Sequence, residues 1–488
     1  MTWKHDAAGI VRRVTGKGEP GASQADLANC RPFEREALKP SIAYPHRVNL
    51  LLKHIPAAPA GRSEGRGTLS QPLRPLRFPA IRHPKFDVAG RPFIVIWEVT
   101  RACDLVCAHC RAEAISTRHP AELTTAEGRT LINQIADFGQ PWPLLVLTGG
   151  DPMKRPDLAE LVAYASARRV PVAFSPSATP LLKPMVFREL QAAGLKAVSL
   201  SVDGATPAVH DAFRGVDGVF ERTMALWDAA LECGLKVQIN TTVAQLNLRD
   251  LPAIARLLFE RGAMTWSVFL LVPVGRGMAL KQLSPQECED VMNFVYDVGL
   301  SLPTKTTEGH HYKRVVLQRT VLKRLGIAPE QVLRLGATYY GLRAKLDAMP
   351  SGELSRRTPM DVNAGRGFVF VSHVGSVHPS GFFTASAGDV RLKTLNEIYR
   401  TSPLLNDLRD VALLHGRCGR CEFAPVCGGS RSRAFATTGD ALAEDPLCSY
   451  QPHSFPYQAE LEDLMAEFPG VGGMTPGGSR SLRQPQPG

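Results

Sequence analysis

An α/β fold, a partial (β/α)6 barrel followed by a small cysteine-rich domain, is predicted by three features of this 488-residue chain. Six short apolar runs rich in β-branched residues alternate with helical segments between residues 92 and 298. Each connection is long enough to hold a helix, so successive strands are parallel and return through crossovers. The cysteines fall into two groups: Cys103, Cys107 and Cys110 close together, then Cys418, Cys421, Cys427 and Cys448 near the C-terminus.

The first strand is read over Pro92–Val99 (PFIVIWEV), and a helix follows near Thr125–Phe138, with Thr124 and Glu127 at capping-box spacing. Leu144–Thr148 is the second strand, followed by the helix Asp157–Arg168. VPVAFS is the third strand, with a helix ending near Gly194. Ala197–Val202, KVQINTTV and Trp266–Val272 are strands four to six, each followed by a helix: around Phe220–Cys233, over Leu251–Arg261, and in SPQECEDVMNFVYDV. Six units rather than eight leave the barrel incomplete, and chemistry in such barrels sits at the C-terminal ends of the strands. Cys103–Cys110, Gly149-Gly150-Asp151 and Asp203-Gly204 all follow strands.

The flanks are different. Residues 1–84 are rich in Pro, Gly and Arg without periodicity and are read as a disordered basic extension, apart from short pieces such as Arg47–Ile55. Domain boundaries follow: a barrel over 85–302, a connecting region over 303–366, a cysteine-rich domain over 367–455 with a hairpin at Phe368–Gly381, and a helix and disordered tail over 456–488. The formal charge of +11 is concentrated in the basic extension, where residues 1–90 hold 15 Lys or Arg against 7 Asp or Glu. No helix-turn-helix or stacked-aromatic pattern supports a nucleic-acid partner. No apolar run reaches the length of a membrane span, and MTWKHDAAGIVRRV lacks the apolar core of a secretory signal, so a cytoplasmic protein is expected. There, cysteines serve metals or stay as inert thiols, the reading given to Cys30, Cys233 and Cys288.

Cys103-x3-Cys107-x2-Cys110 offers three thiolates from one loop. Thiolates suit zinc and iron–sulfur clusters alike, but three of them leave one iron of a cubane open, as catalysis needs. This spacing directly after the first barrel strand, within WEVTRACDLVCAHCRAEA, resembles the radical S-adenosylmethionine (SAM) superfamily. The resemblance implies a catalytic [4Fe–4S] cluster whose open iron binds SAM. It also implies that His109 lies beside the adenine and that Gly149-Gly150-Asp151 is the motif at the SAM ammonium group. Ser201 and Asp203 would then lie near ribose and methionine, with Ser175, Asn240 and Arg276 as further strand-end contacts.

Cys418-x2-Cys421-x5-Cys427 with Cys448 offers four thiolates, which suits a structural zinc or a closed cluster. It resembles the SPASM or shorter twitch extension of radical SAM enzymes, which implies one auxiliary [4Fe–4S] cluster. Ser380 stands where a fuller SPASM hairpin carries a cysteine, so a second auxiliary cluster is not expected. Four ligands favour an electron-transfer or structural role over binding substrate.

TRACDLVCAHCRAEA, LVPVGRG and CGRCEFAPVCGGSRSRAFATTGDALAEDPLC are most similar to the branch containing d1-type haem biosynthesis proteins and the side-chain decarboxylases of an alternative haem pathway. The resemblance implies a low-potential donor such as ferredoxin or flavodoxin and hydrogen abstraction from a tetrapyrrole side chain. The alternatives are modification of a ribosomally made peptide, or a non-catalytic iron–sulfur protein. Lys305, His310, His311, Arg314 and Arg276 are candidates for binding tetrapyrrole carboxylates or a porphyrin metal.

Overall fold

The computed structural model describes residues 4–5, 11–12, 79–346, 349 and 357–467. Most of the 1–84 extension, Arg47–Ile55 and the tail from residue 470 lie outside them. The chain divides into two compact units, residues 1–71 and 72–488. Within the first, Lys4–His5 pairs antiparallel with Val11–Arg12.

In the second unit all six expected strands form: β1 Ile94–Glu98, β2 Leu144–Thr148, β3 Val172–Phe174, β4 Ala197–Ser201, β5 Lys236–Val243 and β6 Thr265–Leu270. They pair in sequence order, all parallel. Helices α1 Thr125–Ala136, α2 Leu158–Ala167, α3 Pro184–Ala192, α5 Val219–Glu232, α6 Leu251–Glu260 and α7 Pro285–Val298 fill the crossovers. The Thr124–Glu127 capping box starts α1, satisfying orphan N–H groups of its first turn. An additional helix, α4 (Pro207–Arg214), follows β4; Pro207 starts it and Gly215, at φ 72°, ends it.

The sheet continues past the sixth strand. β7 (Thr304–Thr307) pairs parallel with β6, and α8 (Tyr312–Leu325) and α9 (Ala337–Arg343) follow. At the other edge, β9 (Gly367–Val371) pairs parallel with β1 from Phe368↔Ile94 to Val371↔Trp97. β8 (Asn363–Ala364) pairs with β9, and β9 turns at Gly375 into the antiparallel β10 (Ser376–His378), which pairs with β11 (Gly388–Asp389). The order is therefore β11-β10-β9-β1-β2-β3-β4-β5-β6-β7, an open sheet whose first-strand edge is covered by the expected hairpin.

Alternate residues set the two faces. Val198, Leu200, Val237, Ile239, Trp266 and Val268 are buried in the core. Ser199, Ser201, Gln238 and Asn240 on the opposite face are half-buried and line the barrel lumen. Short helices α10 (Leu395–Thr401), α11 (Pro403–Arg409), α12 (Gly416–Gly419) and α13 (Arg431–Thr438) follow, with Cys418 in α12 and Cys421, Cys427 and Cys448 in the loops after it, and α14 (Gln458–Ala466) closes the described chain.

Candidate functional site

The loop after β1 carries Cys103, Cys107 and Cys110; the first two are buried and the third is half-buried. Backbone bonds pin it from three sides: Cys103 N–H to Ile115 O (2.8 Å), Ala108 N–H to Phe213 O (2.9 Å) and Arg276 N–H to Cys110 O (3.0 Å). The Arg276 guanidinium adds a bond from Nε to Cys107 O at 2.9 Å. Burial raises the pKa of the Cys103 and Cys107 thiols, so a bound metal would be needed to strip their protons.

Gly149 and Gly150 pack against this loop. A Cβ on Gly149 would stand 2.5 Å from Thr100 O, and one on Gly150 2.4 Å from Ala102 O. Gly150 and Asp151 N–H groups donate to Thr100 O and Ala102 O at 2.9 and 2.6 Å. The glycines thus let one strand-end loop lie on the backbone of another, a close approach any side chain would block. Asp151 is fully buried and accepts from Thr179 Oγ1 (2.5 Å) and Met153 N–H (3.1 Å). Its carboxylate organises the loop. Ser177 completes the contact: it donates to Gly150 O at 2.6 Å and lies 3.6 Å from Cys103 Sγ. Ser175, two residues earlier, engages through its backbone, its N–H donating to Leu147 O at 2.9 Å and its O accepting from Thr148 Oγ1 at 3.4 Å.

Asp203 is fully buried after β4, ion-paired with Arg214 and accepting from Thr242 N–H at 2.7 Å. Arg214 Nη1 lies 3.8 Å from Cys107 Sγ, so the carboxylate holds a cation against the cysteine loop. His109 packs on Phe213 at 4.7 Å, and burial lowers its pKa to about 4, keeping the imidazole neutral. Ser201 and Asn240 are register partners on the lumen face, and Asn240 Oδ1 accepts from Gln238 Nε2 at 2.7 Å.

The second cysteine group surrounds a space. Cys418, Cys421, Cys427 and Cys448 line one open cavity with about 440 Å³ of atom-free volume, together with His311 and Arg314. Burial raises the pKa of Cys427 to about 12. Arg431 Nη2 and Asp445 N–H lie 3.6 and 3.4 Å from Cys418 Sγ. Among the described residues, no three or more His, Cys, Asp or Glu converge closely enough to hold a single metal ion. Thiols spaced around a cavity fit a polynuclear cluster better than zinc, whose ligands crowd one centre at about 2.3 Å.

Residues 97–258 match the Radical SAM superfamily. The AdoMet-dependent heme synthase of Nitratidesulfovibrio vulgaris is 39% identical over 380 residues, covering 77% of this chain and 97% of that protein. The pre-heme d1 synthase of Dinoroseobacter shibae is 30% identical, covering 73% of this chain and 85% of that protein. The chain belongs to the radical SAM superfamily. Its fold is shared with SAM-bound SuiB of Streptococcus suis, at a TM-score of 0.54 and 17% identity, covering 74% of this chain and 78% of that one. Membership makes it an enzyme that uses SAM and a [4Fe–4S] cluster, and the loop's three thiols are the donor set such a cluster needs.

Two features of this radical SAM enzyme were not legible as motifs. Glu98, at the end of β1, is buried between Arg111 of the cysteine loop (2.9 Å) and His373 of the C-terminal hairpin (2.7 Å). Burial pushes its carboxyl up, but those two partners outweigh it and hold the group below its usual range. Glu308, just past β7, accepts from the hydroxyls of Ser380, Ser430 and Ser432. Ser380 is thus bound to a carboxylate. His311 and Arg314 belong to the cysteine cavity, His310 is half-buried beside them in sequence, and Lys305 lies on the barrel lumen.

Proposed function

We propose that this enzyme modifies a side chain of a carboxylate-bearing tetrapyrrole in haem synthesis. The observation that carries the reading is 39% identity along nearly the whole of an AdoMet-dependent heme synthase. Cys103, Cys107 and Cys110 would hold the catalytic cluster. His109, Gly149, Gly150, Asp151, Ser201, Asp203, Asn240 and Arg276 would form or support the SAM pocket, with Asp203 acting through Arg214 and Asp151 through Thr179. When bound, cluster and SAM supply a 5′-deoxyadenosyl radical able to take hydrogen from an unactivated carbon.

The protein's part is to exclude water and position the side chain. Pinning of the cysteine loop by Phe213, Ile115 and Arg276 would hold its three thiols in place for the cluster. Cys418, Cys421, Cys427 and Cys448 would close an auxiliary [4Fe–4S] cluster, which suits electron transfer or structural support. A low-potential donor such as ferredoxin or flavodoxin in the cytoplasm would supply the reducing electron. Among the described residues no helix is long and apolar enough to cross a membrane.

Anaerobic incubation of reconstituted enzyme with SAM, dithionite and iron coproporphyrin III tests the proposal. The expected products are 5′-deoxyadenosine and a porphyrin lighter by carbon dioxide and two hydrogens per propionate converted to vinyl. Production of 5′-deoxyadenosine with the porphyrin unchanged would refute the substrate.

A further inference from the structure

The buried basic side chains around the two cysteine sites are held by carboxylates or carbonyls. Arg111 pairs with Glu98, Arg214 with Asp203, Arg314 with Glu289 and Arg433 with Asp445. Lys313 donates to Val362 O and Val426 O at 2.8 and 2.9 Å. Lys305 differs: among the described residues its charged neighbour is another cation, Arg357. Burial first, and Arg357 second, bring its pKa down to about 7. Arg357 itself has a hydroxyl partner, Thr265 Oγ1 at 3.1 Å, and its charged neighbour is Arg82.

The sheet register shows which way Lys305 faces. Ser201↔Asn240, Asn240↔Ser267 and Ser267↔Lys305 are successive partners across β4 to β7, so the four side chains share the lumen face. Ser267 is fully buried and its hydroxyl has no hydrogen-bond partner. A buried hydroxyl without a partner and a cation without an anion, adjacent in register, are both costs that an anionic ligand would remove. On β1 and β2, Ile94, Ile96 and Val146 are half-buried on the same face, with the Glu98 carboxylate further along β1 already paired to Arg111 and His373. Apolar side chains on one side of the lumen and a cation on the other suit a flat apolar ring with carboxylates at its edge.

We infer that Lys305, with Ser267 beside it and Arg357 nearby, receives a carboxylate of the substrate inside the barrel. This rests on the tetrapyrrole reading and deepens it by naming the group that recognises a propionate. Ammonium–carboxylate hydrogen bonds shielded from water are strong enough to orient the ring and so to select which side chain is presented.

The test is absorbance-monitored titration of iron coproporphyrin III into the reconstituted full-length enzyme, with its uncharged tetramethyl ester as the control. Wild type should bind the acid, and Lys305→Met should weaken binding by at least about tenfold. Lys305→Arg should restore most of the affinity, and the ester should not distinguish wild type from Lys305→Met. Unchanged iron content and unfolding midpoint establish that Lys305→Met is folded. Equal affinity of wild type and folded Lys305→Met for the acid would overturn the inference while leaving the tetrapyrrole reading intact. No binding of the acid by wild type would overturn both.

Discussion

The two cysteine sites use one kind of ligand in opposite ways. The first draws Cys103, Cys107 and Cys110 from a single loop laid over glycine backbone and held by main-chain bonds. The second gathers Cys418 from α12 and Cys421, Cys427 and Cys448 from the loops after it, braced by side chains such as the fully buried Arg433–Asp445 pair. Three thiols would leave one corner of a bound cubane open, and the pinned loop would hold those thiols in place. Four thiols leave nothing open, and there the surrounding charges matter more than access. On the proposed assignment, a catalytic centre and an auxiliary one would differ first in ligand count and then in what holds the ligands.

Removing a thiol from each site gives the largest contrast. Cys107→Ala should abolish 5′-deoxyadenosine formation from SAM, because the remaining two thiols cannot hold a cluster with a single open corner. Cys421→Ala should remove about half the bound iron, one cubane of two, while leaving some SAM cleavage. Iron analysis and chromatography of the nucleoside products check both. Full iron retention in Cys421→Ala would show that the second group does not hold a cluster.

The next effect separates backbone from side-chain support. Arg433 donates to both Asp445 oxygens at 3.1 Å and to Glu308 O at 2.7 Å, and is wholly buried. Arg433→Ala would strand the Asp445 carboxylate without a counter-ion, a change that costs about 3–5 kcal/mol. The thermal unfolding midpoint of the variant should fall by several degrees, with the auxiliary iron lost more readily than the catalytic iron. Equal loss from both sites would mean that Arg433 supports the whole molecule rather than one region.

How far the sequence revealed these regions follows from where the signals lie. β1 to β6 were legible because runs such as Leu144–Thr148 are short and apolar, and helical segments separate them. β7 was not, because Thr304–Thr307 reads TKTT and carries no apolar residue; pairing with β6 makes it a strand. The cysteines were legible as spacing, a property of neighbours in sequence. Ser177, Arg214 and the Glu98–His373 contact were not, because each joins residues far apart; Glu98 and His373 are 275 positions apart. Ser177 had a faint signal in FSPSATP, a hydroxyl-rich run just past a strand end.

The smallest effect probes the seam between the regions. Glu127 closes the capping box of α1 and also pairs with Arg391, which follows the C-terminal hairpin, at 2.6 Å. The Arg391 hydrogen bond and then the Thr124 N–H bring its pKa from 4.5 to about 2. A depressed carboxyl contributes stability above its unfolded pKa and loses it as pH falls through the folded one, so the window runs from about pH 4.5 down to about pH 2. Both partners are well exposed, so solvent screening keeps the contribution near 1 kcal/mol or less. Glu127→Gln should therefore lower the unfolding midpoint slightly at pH 7 and converge with wild type as pH approaches 2. A difference that persists undiminished at low pH would show that Glu127 acts through packing rather than charge, and that the seam is not electrostatic.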